Sequence, residues 1–303
     1  MRKQRRDTLT AMLFISPWLI GLAVFTFYPL AASLYYSFTD FDVLSKPVWI
    51  GAGNYSDMAR DAVFWKSLYN TLFYAAFAIP LGLILSLMVA VLLNQAAKGQ
   101  SVFRTLFFLP SIVPLVAVSM IWIYVFNGDF GLLNYLLAPV LDFINRIIGT
   151  DFQPPNWLVD PYLTKPTLIL AGLWQIGGTV IIFLASLQDV PRSLYESAEL
   201  DGANPAHKLW HITIPIISPV IYFNLIIGII NALQFFVTPF ILMPDGSTNR
   251  SGLMYTVYLY DNAFRFNQMG YASAMAWVMF LIVVALTWGA TKLSRKHIYY
   301  AGA

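Results

Sequence analysis

The stretch "YESAELDGANPAHKLWHITIPIISP", residues 195–219, differs in composition from the rest of the chain. The 303-residue sequence is 58% hydrophobic and 11% charged, yet this stretch opens with three acids within six residues. Two prolines, Pro215 and Pro219, follow where the sequence becomes apolar again. Because a soluble chain is about a quarter charged, the composition indicates that most of this chain lies in lipid and that the acidic stretch lies outside it.

Six stretches without Asp, Glu, Lys or Arg are long enough to cross a membrane, since a spanning helix requires about 20 apolar residues. They are residues 11–38, 67–94, 105–128, 166–188, 212–244 and 266–291. The sequence therefore predicts an all-α membrane protein with six transmembrane helices. The apolar run at 130–141 is too short to cross, and it predicts an interfacial or re-entrant helix.

The first apolar stretch follows the basic segment "MRKQRR", an arrangement also typical of a signal peptide. Its apolar part is much longer than the 7–15 residues of a signal peptide and contains Pro17 and Pro29, so an uncleaved first span is predicted. With six spans, both termini lie on one side, together with 11 of the 18 Lys and Arg residues. The excess of positive charge predicts that this side is the cytoplasm.

Local signals predict a short helix in the acidic stretch. Ser193 and Glu196 have the spacing of a capping box, in which each side chain satisfies a free backbone N–H. The predicted helix covers about 194–201 and ends at Gly202, which adopts the left-handed conformation without steric cost.

A second short helix is predicted directly after this glycine corner. Asn204 is a favoured N-cap residue, and Pro205 at the first helical position loses no hydrogen bond. The segment 193–211 is therefore predicted to form two short helices on the cytoplasmic side.

The acids of this segment allow two interpretations. Glu199 and Asp201 lie near a helix C-terminus, where negative charge opposes the helix dipole. The segment is either a solvated loop or a docking element for a basic groove on a cytoplasmic partner. Binding to nucleic acid is disfavoured because the acids repel phosphates.

The stretch resembles the EAA motif of permease subunits of binding-protein-dependent ABC importers, whose pattern is roughly E-A-A-x-x-D-G-A followed by x-x-I-x-x-P-x-x-x-P. The matching residues are Glu196, Ala198, Asp201, Gly202, Ala203, Ile212, Pro215 and Pro219. Ser197 departs from the pattern, as a small residue in place of Ala. The segments "FTFYPLAASLYYSFTDF", "WIGAGNY", "NTLFYA", "FRTLFFLPSIVP" and "NWLVDP" are similar to the carbohydrate-uptake branch, specifically the first of its two permease subunits.

The resemblance implies one transmembrane permease domain over 1–303 with the type I ABC importer architecture, in a bacterial or archaeal cytoplasmic membrane. It implies that 193–211 are coupling helices seated in a cleft of an ATP-binding subunit, with Glu196 facing a basic residue there. The expected coupling residues are Glu196, Ser197, Ala198, Asp201, Gly202, Ala203 and Pro215. The implied partners are a second sugar permease in a heterodimer, two ATP-binding subunits and an extracytoplasmic solute-binding protein.

The sequence argues against chemistry within the chain itself. No lysine follows a glycine, so the phosphate-binding motif G-x-x-x-x-G-K-[S/T] is absent, and ATP with Mg²⁺ is expected on a separate subunit. No enzymatic activity and no bound cofactor are expected. The chain has no cysteine, and His207 and His211 lack an H-E-x-x-H context, so no metal site is predicted.

An autonomous secondary carrier for a neutral polar solute is the alternative function. Ion-coupled carriers usually contain charged residues within their spans. The six apolar stretches contain none, which favours a passage powered from outside the chain.

A stripe of polar and small residues in the fifth apolar stretch predicts contact with a solute. Its members recur at spacings of three and four and are Asn224, Gly228, Asn231, Gln234, Phe235 and Thr238. Packing between helices is the alternative role for each of them. Amides beside an aromatic ring suit a neutral polyhydroxyl solute, and glycerol phosphate esters remain possible. Weaker candidates are Ser273, Trp277, Trp174, Gln175 and Thr179.

Overall fold

The computed structural model describes residues 2–95, 99–295 and 298–299. The fold is almost entirely helical, with one two-residue antiparallel strand pair, β1 (Thr39–Asp40) and β2 (Val48–Trp49). The first helices are α1 (Arg2–Leu22), α2 (Tyr28–Tyr36), α3 (Gly53–Arg60), α4 (Ala62–Asn94), α5 (Gln100–Ile112), α6 (Leu115–Val125) and α7 (Leu132–Ile148). The remaining helices are α8 (Thr164–Leu173), α9 (Gly177–Gln188), α10 (Arg192–Leu200), α11 (Pro205–Lys208), α12 (Ile214–Leu233), α13 (Val237–Leu242), α14 (Tyr255–Tyr260) and α15 (Met269–Ser294).

The described chain divides into two compact units. The first contains the described residues up to Ala62 together with Leu259–Leu281, and the second contains Val63–Tyr258 and the described residues from Ile282 onward. In the first unit, buried Asn54 donates hydrogen bonds to the carbonyls of Ser37 and Thr39. These bonds fix the chain entering the strand pair.

Four described segments are long and apolar enough to cross a membrane: Thr10–Tyr36, Ala62–Asn94, Pro205–Leu242 and Met269–Ser294. Two bent helix pairs also qualify, α5 with α6 and α8 with α9, with bends of 96° and 49°. The described chain therefore carries four candidate spans, or six if each bent pair crosses as one broken span. The count of six stays a prediction.

Proline explains the sharp break between α5 and α6. Pro114 has no N–H to donate and disfavours the helical conformation of the residue before it. Val113 accordingly has extended angles, φ −69° and ψ 132°. The apolar stretch predicted at 105–128 thus contains two helices.

A close approach of two helices accompanies the break between α8 and α9. Gly177 begins α9, and a Cβ built there would lie 2.4 Å from the carbonyl oxygen of Phe107 in α5. A side chain at this position is incompatible with the observed packing of α9 on α5. Gly178, the next residue, has open space at the same place.

A hydrophobic cluster in the second unit joins α4, α9 and the beginning of α12. Its fully buried members include Ala90, Phe183 and Ile217, with Val180, Leu184, Leu187, Val190 and Leu93 around them. Tyr195, from the segment 193–211 that is predicted to couple, and Ile212, directly after that segment, pack against its edge. The segment 193–211, called the acidic segment below, is therefore attached directly to the core of this unit.

Candidate functional site

The acidic segment begins earlier than its capping signal predicts. Helix α10 starts at Arg192, directly after Pro191, and no side chain caps its N-terminus. The predicted capping box of Ser193 and Glu196 is therefore wrong. Pro191 lies outside the helix with extended angles, and this places Ser193 inside the first turn, where its hydroxyl no longer caps.

The glycine corner and the second cap are confirmed. Gly202 has φ +77°, and its N–H donates to the carbonyl of Glu199, while the N–H of Ala203 donates to that of Ala198. These two bonds form a Schellman motif. Asn204 then caps α11, since its side chain accepts a hydrogen bond of 2.8 Å from the N–H of His207.

An ion pair links the two short helices. The Lys208 Nζ lies 2.6 Å from the Glu199 Oε1, and the Lys208 side chain is largely buried while that of Glu199 is mostly exposed. The Lys208 ammonium group, in the next helix, thus offsets the unfavourable position of the Glu199 carboxylate near the C-terminus of α10. Because the Glu199 carboxylate remains in contact with solvent, the pair contributes about 0–1 kcal/mol.

Helix α10 presents two different faces. Tyr195 and Ala198 are half-buried, and the Tyr195 hydroxyl lies 2.8 Å from the hydroxyl of buried Thr213, directly before α12. Glu196 and Leu200, four residues apart on the other face, are exposed, and Leu200 is 91% exposed. In the described part of the chain Glu196 has no ion pair or hydrogen bond. The outward face therefore offers a free carboxylate beside an apolar side chain.

One continuous helical path leads from this segment into α12. A π-helical turn, Leu209–Thr213, joins α11 to α12, and the N–H of Ile214 donates to the carbonyl of Leu209. Pro215 follows directly and could not donate to a carbonyl four residues earlier. The widened turn accommodates the proline without interrupting the helix.

Two histidines lie at this turn, His207 just before it and His211 within it. The rings of His207 and His211 stack with centroids 4.5 Å apart, and the His211 Nδ1 lies 3.1 Å from the His207 carbonyl oxygen. Across residues 2–95, 99–295 and 298–299, no group of three or more His, Cys, Asp or Glu could hold a metal ion.

A cavity of about 550 Å³ lies in the second unit, and all six members of the predicted polar stripe line it. Helix α12 ends at Leu233, so the stripe continues through an irregular segment into α13. Asn231 and Gln234 are exposed toward this space, whereas the Asn224 Nδ2 donates to the Val220 carbonyl within its own helix. The Asn224 amide is thus already engaged in a hydrogen bond within α12.

Aromatic rings form a second part of the cavity wall. Tyr74 of α4 and Phe235 stack face to face, with ring centroids 4.4 Å apart. Trp122 of α6 adds an indole, and its buried Nε1 has no hydrogen-bond partner among the described residues; the same holds for the Ser86 hydroxyl. Since buried polar groups are normally paired, these two groups are available to water or a bound solute.

No charged side chain lines the cavity within the described chain. The remaining polar wall comes from amides and hydroxyls, including Gln175, Thr179 and Thr238. The Ser119 hydroxyl donates to the Thr238 hydroxyl at 3.3 Å, so Thr238 also has a packing role. This chemistry suits a neutral solute that carries both hydroxyl groups and apolar faces.

The other candidate residues lie elsewhere. Trp174 is exposed and packs edge-on against Trp122 without lining the cavity. Ser273 and Trp277 belong to the first unit, where Ser273 is buried and the Trp277 Nε1 donates to the Ser33 hydroxyl. Tyr74, Ser86 and Trp122 were not among the predicted residues. The polar Ser86 inside an otherwise apolar run was the available signal.

The family profile of the binding-protein-dependent transport system inner membrane component matches residues 78–298. The chain belongs to this family. A "Probable ABC transporter permease protein YesP" of Bacillus subtilis is 41% identical over 302 residues, covering 99% of this chain and 94% of the relative. The lactose transport system permease protein LacF of Rhizobium radiobacter is 34% identical, covering 94% of this chain and 93% of the relative.

The arabinooligosaccharides transport system permease protein AraP of Bacillus subtilis is 30% identical, covering 93% of this chain and 87% of the relative. A chain of the bacterial alginate ABC transporter, solved in complex with an alginate pentasaccharide-bound periplasmic protein, matches with a TM-score of 0.80 at 22% identity. That match covers 97% of this chain and 96% of the other. It shows that the folds are alike.

This permease is therefore an inner membrane component of a transport system whose relatives carry sugars and oligosaccharides. The resemblance to sugar permeases is confirmed. The family consists of components of binding-protein-dependent transport systems, so the alternative function as an autonomous secondary carrier loses its support. Members of this family are permease components of transport systems and are generally not catalytic.

Proposed function

We propose that this chain is one of two different permease subunits in an ATP-driven importer of a sugar, an oligosaccharide or a related polyol. Two ATP-binding subunits hold ATP and Mg²⁺ on the cytoplasmic side, and an extracytoplasmic binding protein delivers the solute. The names of the lactose and arabinooligosaccharide relatives support the solute class. The distribution of Lys and Arg supports cytoplasmic termini.

The cavity of the second unit is the observation that carries this proposal. Asn231 and Gln234 place amides, which both donate and accept hydrogen bonds, at a space bounded by the stacked pair of Tyr74 and Phe235. A sugar has hydroxyl groups at its edges and apolar C–H faces, and it matches both kinds of wall. A phosphate ester would enter a cavity with no cation in its described lining, so a neutral solute is favoured.

In the same proposal, the acidic segment docks the ATP-binding subunit. Glu196 and Leu200 form the outward face. The pair of Glu199 and Lys208 ties α10 to α11, and the Tyr195 hydroxyl ties α10 to Thr213 in the turn that precedes α12. The proposed coupling set is the one from the motif: Glu196, Ser197, Ala198, Asp201, Gly202, Ala203 and Pro215. Because α11, the π turn and α12 are continuous, a displacement of the segment reaches the cavity through one helix.

Reconstitution of the complete transporter in liposomes tests the function. ATP-dependent uptake of radiolabelled neutral oligosaccharides is expected when the binding protein is present, and none when this chain is omitted. Glycerol 3-phosphate serves as the anionic comparison and is expected to give little uptake. Uptake driven by an ion gradient in liposomes that contain this chain alone would contradict the proposal.

A further inference from the structure

Helix α7 carries an apolar stripe that faces away from the protein. Five side chains recur at spacings of four, four, three and four residues, so they lie along one face of the helix. Each is between 51% and 68% exposed. They are Leu132, Leu136, Val140, Phe143 and Ile147.

The opposite face of α7 is tied by two asparagines to the loops before and after the helix. Buried Asn134 donates to the carbonyls of Gly128 and Pro155 and accepts from the Trp157 Nε1. Asn145 donates to the carbonyl of Phe152 and accepts from its N–H. These bonds lie about half a turn from the stripe, since each residue advances 100° around the helix, and they hold the stripe outward.

The dimensions of α7 exclude a crossing. Its 17 residues span about 25 Å, which is less than the roughly 30 Å of a hydrocarbon core. Asp142 and Arg146 lie on the flank of the helix and would also resist burial in the core. The helix is nonetheless close to the membrane, because only six residues separate it from α6, a member of a candidate span.

Helix α6, which precedes α7 in the chain, also exposes apolar side chains. Helix α6 presents exposed apolar residues along its length, namely Leu115, Val116, Met120, Ile121 and Tyr124. The stripe on α7 contains no hydrogen-bonding side chain, whereas a protein interface carries about one hydrogen bond per 100–200 Å². Lipid needs no such bonds, and an apolar face of this length left in water would favour aggregation.

The geometry points to the membrane–water interface as the occupant: α7 lies along the lipid surface with its stripe among the upper acyl chains. The Asn134 face and the following loop remain with the protein. The helix then anchors the 126–163 connection to the bilayer, in the manner of an interfacial amphipathic helix. This inference rests on membership of the membrane family and does not depend on which solute is carried.

Spin labels at single cysteines test the placement, and the chain's lack of native cysteine means that each variant carries one label. The stripe variants are Leu136→Cys, Phe143→Cys and Ile147→Cys, at exposed sites where the change removes few contacts. Ile121→Cys on α6 is the lipid control, and Asp151→Cys in the loop after α7 is the water control. The labelled full-length chain, assembled with cysteine-free partner subunits in nanodiscs, is measured for collision with oxygen and with a water-soluble nickel chelate.

The proposal expects a high ratio of oxygen to nickel accessibility at all three stripe positions, close to that of Ile121→Cys. Nickel accessibility equal to that of Asp151→Cys would place the stripe in water and overturn it. Low accessibility to both reagents would mean that another protein covers the stripe, which also overturns it. Photo-crosslinking from the same cysteines in native membranes gives an independent readout, with adducts to lipid expected and adducts to protein contradicting the proposal.

Discussion

At the scale of single residues, substitution of Asn231 distinguishes a role in solute contact from a role in helix packing. Its side chain is exposed toward the cavity and has no hydrogen bond within the described chain. Asn231→Leu is expected to lower uptake at least tenfold, which corresponds to about 1.4 kcal/mol of lost interaction, since a buried polar solute would lose a partner. Assembly and basal ATPase activity should be unchanged. Asn231→Gln retains the amide and should keep part of the uptake.

Phe223→Leu is the matched control, because Phe223 is exposed on the same helix and does not line the cavity. It should leave uptake near the level of the unchanged chain. If Asn231→Leu instead dissolved the complex, the residue would be a packing element, as the alternative interpretation of the stripe holds.

Glu196 tests the docking face. Since it caps no helix in the structure, Glu196→Gln removes charge with little effect on local stability. Stimulation of ATPase activity by the binding protein is expected to fall in Glu196→Gln and to fall further in Glu196→Lys, through repulsion of a basic partner. The measurement is stimulated ATPase activity together with uptake. Full coupling in Glu196→Lys would mean that the segment is a solvated loop.

Tyr195 links α10 to the π turn before α12 through its hydroxyl pair with Thr213. Tyr195→Phe removes a bond worth about 0.5–1.5 kcal/mol and leaves the ring in place. Fewer solutes transported per ATP hydrolysed are expected. Thr213→Val should have at least as large an effect, because it also removes the bond from the Thr213 hydroxyl to the Lys208 carbonyl. The double variant should add little to Thr213→Val, because the bond to Tyr195 is already lost. Additive losses would show that the two residues act independently.

At the scale of elements, adjacent glycines in α9 give a matched pair. Gly177→Ala brings a Cβ to 2.4 Å from a backbone oxygen of α5 and should cost about 1–3 kcal/mol of stability. Gly178→Ala meets open space and should be neutral or stabilising by up to about 1 kcal/mol. Thermal unfolding in detergent compares them. Equal unfolding temperatures would argue against the packing of α9 on α5.

The ends of a helix could be predicted from sequence where only one residue nearby favours a helix start or stop. Gly202, Asn204 and Pro205 each have one favourable backbone role, and the structure assigns it to them. The capping box failed because Pro191, two residues earlier, starts the helix sooner. Local patterns cannot rank two such start signals.

The cavity was predictable only in part. The spacing of Asn224, Asn231 and Gln234 follows from helical periodicity, so their common side could be read from sequence. Tyr74 and Trp122 come from other helices, and their arrival at the same space depends on packing that has no local signature. For the same reason the inward faces of the fourth and sixth stretches could not be assigned.

At the scale of the whole molecule, the chain is expected to be inactive alone. It lacks a phosphate-binding motif, and its six apolar stretches carry no charge for ion coupling. The purified chain in liposomes should show neither ATP hydrolysis nor gradient-driven uptake above protein-free vesicles. Phosphate release and flux of a radiolabelled sugar measure the two activities. Either activity, retained after removal of contaminating ATPases, would contradict the assignment as a dependent subunit.

The π turn between α11 and α12 keeps the path from the docking segment to the cavity straight at a proline. A π turn holds one more residue than an α turn and spares Pro215 the clash with a carbonyl four residues earlier. Deletion of His211 would restore α-helical winding, in which the Pro215 ring meets that carbonyl and bends the helix. A one-residue deletion should therefore be far more harmful than any substitution of the exposed His211 side chain. Substitutions leave the helix straight, and the deletion changes the direction in which a displacement of the motor reaches the passage.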